Sequence, residues 1–196
     1  MRKVVVIDIP GLTPALVGEE TPHLAALARA GFSAPLGTVF PAVTCPVQST
    51  FLTGLAPAEH GVVGNGWYWP DLGEVLFWRQ PDRLVGGDRL WDEGRRRNDA
   101  FTCARLFWWF NMYSSVDVAV TPRPVYGAAG AKLPDIWTRP GDLREKLQEK
   151  FGDFPLFEFW GPRAGIGSTR WIVNATQFVL EELQPTLLLT YLPHLD

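Results

Sequence analysis

Lys3-Val4-Val5-Val6-Ile7-Asp8-Ile9-Pro10-Gly11 is a β-branched run that closes on an aspartate, a proline and a glycine. Apolar residues on successive rather than alternate positions fit an interior parallel strand covered on both faces. The carboxyl end of that strand then carries Asp8. Downstream, Thr21-Pro22 has the composition of a helix start, Leu24, Leu27 and Ala28 recur on one face, and Gly31 marks the end. Residues 33–40 read as a second strand. Residues 44–55 read as a second helix, opening at Thr44-Cys45-Pro46 and closing at Gly54. Strand, helix, strand, helix predicts an α/β sheet.

Composition bounds what that sheet can do. The chain has 196 residues, 46% of them hydrophobic and 20% charged, enough for one sizeable core and unlike a disordered segment. Eighteen Lys and Arg against 21 Asp and Glu leave a net charge of -3, so no general affinity for polyanions such as a nucleic-acid duplex is expected. Cys45 and Cys103 are too few for a disulfide framework or a cysteine metal cluster, which makes a reducing cytoplasm the default. The apolar run at residues 4–7 is short for a secretory signal, and no stretch approaches the roughly 18 apolar residues of a membrane helix. No membrane partner is expected. Nine tryptophans stand outside any repeat, and so much aromatic surface needs burial or a ligand.

Residues 64–138 mix aromatics, glycines, prolines and a charged run at 88–99 without a sustained period, which predicts loops and short elements. Further strands are expected at 101–106, 116–120 and 186–191, and helices at 142–151 and 169–183. Arg95-Arg96-Arg97 reads as a solvated helix face rather than a phosphate clamp. No linker interrupts the chain, so residues 1–196 are taken as one α/β domain with an irregular, aromatic-rich middle.

Ligands of open α/β sheets bind beyond the carboxyl ends of the strands, and Asp8, Thr44 and Asp196 stand there. Each has an ordinary use as well. A strand-end aspartate caps turns, and a threonine at a helix start caps free donors, although Val47 occupies the position where a capping box has Glu or Gln. A hydroxyl at a helix N-terminus also lies where the dipole and free N–H groups favour a phosphate-like anion. To attack such an anion, threonine needs a base or a metal. His23, His60 and His194 are all remote from Thr44 in sequence, so a metal held by carboxylates such as Asp8 is the economical partner. Cys45 offers a rival nucleophile, since a helix N-terminus lowers a thiol pKa.

Phe40-Pro41-Ala42-Val43-Thr44-Cys45-Pro46, followed by Thr53-Gly54-Leu55-Ala56-Pro57-Ala58-Glu59-His60-Gly61-Val62-Val63-Gly64-Asn65, resembles the nucleophile region of type I phosphodiesterases and nucleotide pyrophosphatases, in the alkaline phosphatase superfamily. Asp8-Ile9-Pro10-Gly11 is similar to that family's first metal-binding strand, and Thr21-Pro22-His23-Leu24 to its early helix. Tyr191-Leu192-Pro193-His194-Leu195-Asp196 resembles its tyrosine-to-aspartate metal segment. The resemblance implies an alkaline-phosphatase-like, mostly parallel sheet with helices on both faces. It also implies hydrolysis of phosphodiester or pyrophosphate bonds in small, nucleotide-type substrates. By the same resemblance Thr44 is the nucleophile between two zinc ions, Asp8 and Thr44 bind one metal, and Asp196 binds the other. Asn65 and the backbone N–H of Cys45 would hold a phosphoryl oxygen, with Tyr191 and Trp137 beside a base.

Departures from the pattern carry expectations of their own. The family has phenylalanine where this chain has Cys45, which weakens the nucleotide preference. The sulfatase pattern after the nucleophile keeps Pro46 here but loses its serine and arginine, which disfavours sulfate esters. His60 is expected to be structural, and no role transfers to His194. The histidine ligands that follow the aspartate in the family have no counterpart here. The sheet is therefore expected to be incomplete at its C-terminus, its edge covered by a further segment or by self-association. The zinc cage is expected to be incomplete and this chain inactive alone. An alternative is a non-catalytic nucleotide- or protein-binding remnant of the same fold.

Overall fold

Strands buried along their whole length must be covered on both faces, and three of them form the middle of the sheet. The computed structural model describes residues 2–196. The strands are β1 (Val4–Asp8), β2 (Gly66–Trp69), β3 (Glu74–Phe77), β4 (Cys103–Leu106), β5 (Val118–Pro122), β6 (Val125–Tyr126), β7 (Lys132–Leu133), β8 (Ile136–Arg139) and β9 (Leu187–Tyr191). The helices are α1 (Pro22–Ala30), α2 (Thr44–Thr53), α3 (Pro57–His60), α4 (Leu90–Arg97), α5 (Leu143–Phe151) and α6 (Ile166–Glu182). One sheet has the order β1-β9-β4-β5-β8, with β8 antiparallel and the other pairs parallel. Two antiparallel hairpins, β2-β3 and β6-β7, stand outside it.

Alternation along the central strands decides which helix covers what. Leu188, Ala104, Leu106, Val118 and Val120 face Trp171, Ile172, Ala175 and Val179 of α6 and Leu143 and Leu147 of α5. Leu187, Leu189, Cys103 and Ala119 face the other way, against Leu52 of α2, Trp91 of α4 and Trp108. Each such leucine gains about 1.5–3 kcal/mol from leaving water, so the two layers hold the sheet from both sides.

Arg105 shares the second face and is fully buried. Its guanidinium lies 4.9 Å from the Trp91 ring centroid and donates to Asp82 Oδ1 at 3.1 Å. Arg89, also buried, reaches Asp82 Oδ2 at 3.3 Å. Burial draws Arg105 down to about 10, with Asp82 opposing the shift, so the guanidinium stays charged at neutral pH.

Several expectations are corrected. β1 is an edge strand paired only with β9, and Val4 to Ile7 are exposed rather than covered. Residues 33–40 form no strand: Pro35 lacks a donor, Gly37 packs nothing, and Phe32 and Phe40 are 90% and 93% exposed. With no partner from that segment, the outer edge of β1 stays unpaired among the described residues. α1 runs from Pro22 and ends at Gly31 as anticipated, but buries none of its residues. The arginine triplet lies on α4, where Arg95 pairs with Asp117, Arg96 with Asp88 and Glu93, and Arg97 with Glu93. No described helix is long and apolar enough to cross a membrane.

The two arginines share one carboxylate, so Asp82→Ala strands both charges in the interior. It is expected to cost about 3–5 kcal/mol, read as a lower urea midpoint. A loss under 1 kcal/mol would refute this role for Asp82.

Candidate active site

Parallel strands end together, and the carboxyl ends of β1 and β9 bring the first half of the site into one place. Asp8 pairs in register with Tyr191, and the Asp8 carbonyl accepts from the Leu192 N–H at 2.9 Å. Gly11, at φ +79°, then turns against the chain ahead of Asp196: a Cβ there would stand 2.3 Å from the Leu195 carbonyl oxygen. Only glycine tolerates both that angle and that approach. Asp8, Thr44, Tyr191 and Asp196 consequently line a single cavity with Asn65 and Gln48.

α2 differs from its sequence reading in a way that matters for chemistry. Val43, in extended conformation at φ -124° and ψ 164°, is the N-cap, so Thr44 is the first helical residue and its hydroxyl is not spent on capping. It lines the cavity together with Tyr191. The backbone donors of this first turn are fewer than anticipated. Pro46 has none, and the Cys45 N–H donates to Asn65 Oδ1 at 2.9 Å. Asn65 thereby keeps its Nδ2 as a donor toward an anion, while the Thr44 N–H remains at the helix start.

Gln48, one turn after Thr44, is the residue that sequence reading missed. It is buried, donates from Nε2 to Asp8 Oδ2 at 2.8 Å, and accepts the Trp109 N–H on Oε1 at 2.7 Å. A polar residue four positions from Thr44, on the same helix face, was the available signal. Burial raises the pKa of Asp8; the Gln48 hydrogen bond opposes this, and the charge of Asp196 adds to it. Tyr191 donates to Asp196 Oδ2 at 3.1 Å, and burial together with that carboxylate holds its hydroxyl protonated.

The Cys45 thiol is buried and pushed far up by desolvation, which removes it as a rival nucleophile. His60 is likewise structural: the Val62 N–H donates to its Nδ1 at 3.1 Å, and Nε2 lies 3.1 Å from Thr50 Oγ1. Trp137 sits on β8 at the far edge of the sheet, packed edge-on to Tyr113 at 5.7 Å, and lines neither cavity around Thr44. Trp78, Trp109, Phe159 and Trp160 take the aromatic place beside Tyr191 instead.

Residues 4–196 match the family model of type I phosphodiesterase / nucleotide pyrophosphatase. The chain belongs to that family. An uncharacterized pyrophosphatase/phosphodiesterase of Schizosaccharomyces pombe is 33% identical over 93 residues, which are 46% of this chain and 19% of that protein. Phosphonoacetate hydrolase from Sinorhizobium meliloti 1021, in complexes with phosphonoformate and phosphonoacetate, superposes with TM-scores of 0.60 and 0.61 at 14% and 15% identity. Each superposition covers 97% of this chain and 46% of the hydrolase. This chain thus shares the α/β fold of that hydrolase, and it spans less than half the length of these relatives.

Two measurements follow. Gln48→Leu leaves the Trp109 N–H buried without an acceptor, so a loss of about 1–3 kcal/mol is expected, with a rise in the Asp8 pKa by carboxyl NMR titration. An unmoved Asp8 titration would refute the bridge. Burial lowers the His60 pKa, so the unfolded chain binds more protons as pH falls through 6.5 and stability is lost on acidification. Thermal midpoints from pH 7.5 to 5 are expected to fall, less steeply in His60→Gln; parallel curves would exclude His60 as a source.

Proposed function

We propose that this chain carries the nucleophile half of a hydrolase of phosphodiester or pyrophosphate bonds in small molecules, with Thr44 as the attacking group. The observation that supports it is the uncapped Thr44 hydroxyl at a helix N-terminus, sharing one cavity with Asp8, Asn65 and Asp196. An anion there meets the positive helix end, the Thr44 N–H and the Asn65 amide. Thr44 Oγ1 forms the new bond to phosphorus, the ester or anhydride oxygen leaves with its electron pair, and water then releases Thr44. The family membership and the phosphonate ligands of the hydrolase neighbour agree with a small phosphorus anion.

A threonine must lose its proton to a base or be activated by a metal. The two zinc ions that the resemblance implies do not fit this chain's residues alone. Among the described residues no group of three or more His, Cys, Asp or Glu is disposed to hold a metal ion. Asp8, Thr44 and Asp196 provide two carboxylates and a hydroxyl where each zinc takes about four ligands. The alternative reading is a non-catalytic binding remnant of the same fold. Both cysteines are free and buried, in keeping with the proposed cytoplasmic setting.

The deciding assay uses bis(4-nitrophenyl) phosphate with zinc, on this chain and on the chain joined to a family segment that carries the further histidine and aspartate ligands. Turnover is expected in the joined protein, and Thr44→Ala is expected to lower it by about 10³-fold or more. Retained turnover in the variant removes Thr44 as nucleophile. No turnover in the folded, joined protein favours the remnant.

A further inference from the structure

The free edge of β1 carries a defined row of backbone groups. The Val4 N–H donates to the Thr186 carbonyl at 2.9 Å, and the Asp8 carbonyl accepts from the Leu192 N–H at 2.9 Å. In a parallel pair alternate residues give both backbone groups to one neighbour, so Val4, Val6 and Asp8 serve β9 while Lys3, Val5 and Ile7 direct theirs outward. The next outward carbonyl, that of Ile9, is already held by the Leu12 N–H at 3.2 Å. Such edges are ordinarily blunted by a charge, a proline or a bulge, and none interrupts Val4 to Ile7. These four residues are 36–53% exposed. A groove of about 380 Å³ runs beside Val6 and Ile7, walled by Leu36, Phe51, Leu90 and Trp108.

This edge is complementary to itself. Two antiparallel copies of β1, related by a two-fold axis at Val5, set Val5 opposite Val5 and Lys3 opposite Ile7 as hydrogen-bonded pairs, which satisfies every outward group from Lys3 to Ile7. The closer, non-hydrogen-bonded pairs fall between them: Val4 of one copy opposite Val6 of the other, and Arg2 opposite Asp8. The basic start of each strand thus meets the acidic end of the other, where Asp196 shares a cavity with Asp8. A parallel alignment would put Lys3 beside Lys3 and Asp8 beside Asp8, like charges directly opposite. Moving the axis to Val6 spends the Ile9 carbonyl that Leu12 already holds and sets Val4 against Asp8.

We propose that the β1 edge is an isologous dimer interface, which joins the five-stranded sheets of two copies of this chain through antiparallel pairing centred on Val5. Sedimentation equilibrium of the full chain at about 100 µM is expected to give the mass of two chains. Val5→Pro removes the donor at the axis without touching the β9 ladder, and is expected to give the mass of one chain with an unchanged far-UV circular dichroism spectrum. Val5→Cys tests the register however the proline variant folds. Its two Cα atoms, about 5.5 Å apart, are within disulfide reach, so oxidised glutathione is expected to convert this variant to a covalent dimer. In Val6→Cys the same atoms stand about 8 Å apart, and no cross-link is expected. The native Cys45 and Cys103 are buried and do not compete. A monomer at this concentration, including one whose edge is covered only by the family segment of the joined protein, overturns the interface. So do assemblies larger than a dimer, a folded Val5→Pro variant that still pairs, absence of the Val5→Cys cross-link, or cross-linking at Val6→Cys in its place.

Discussion

The buried amide of Gln48 holds together a site that the chain assembles from distant pieces. One side chain joins Asp8 at the end of β1, the first two turns of α2 and the backbone of Trp109 after β4. Hydrogen bonds to a charged partner are worth about 1.5–3 kcal/mol, and here the alternative is a carboxylate and an N–H with no partner inside a largely apolar layer. Because Gln48 is one turn beyond Thr44, fixing its amide also anchors the helix start that carries the threonine. Asp8, Thr44 and the aromatic wall are thus registered to one another by a residue that itself does no chemistry.

What was readable in the sequence follows from where the information is local. Leu187 to Leu189 are apolar on successive positions, a pattern that suits a strand covered on both faces, and β9 is such a strand. The stretch from Thr44 to Asn65 was readable because residue identity carries it, and the Asn65-to-Cys45 hydrogen bond joins its two ends. Residues 33–40 carry apolar Leu36, Val39 and Phe40, but Pro35 brings no donor and Gly37 no side chain, and no strand forms. Gln48 was hidden because a glutamine in a helix is ordinary until its two partners, 40 and 61 residues away, are known. The cluster of Trp78, Trp109 and Trp160 left one trace, an excess of tryptophan that no local period explained.

β1 shows the limit of pattern reading in a different way. Its sequence has the character of an interior strand, yet among the described residues its outer edge has no neighbour and its valines are exposed. The segment that precedes α2 does not shield it: α1 buries nothing, and Phe32, Leu36 and Phe40 stand exposed. Sequence periodicity reports the environment that a strand suits, and neighbours alone decide whether it obtains it. An unpaired row of N–H and C=O groups flanked by valines is also the arrangement most prone to adding another strand.

Trp78 holds a left-handed backbone, φ +54°, that is costly for any residue with a side chain. Its N–H donates to the Asn65 carbonyl at 2.9 Å, and the Asn65 side chain in turn accepts from the first turn of α2. The ring at the mouth of the cleft and the amide nearest the anion position therefore belong to one short mechanical chain. The strained turn at Trp78 is therefore held in place by the same residue, Asn65, that braces the start of α2.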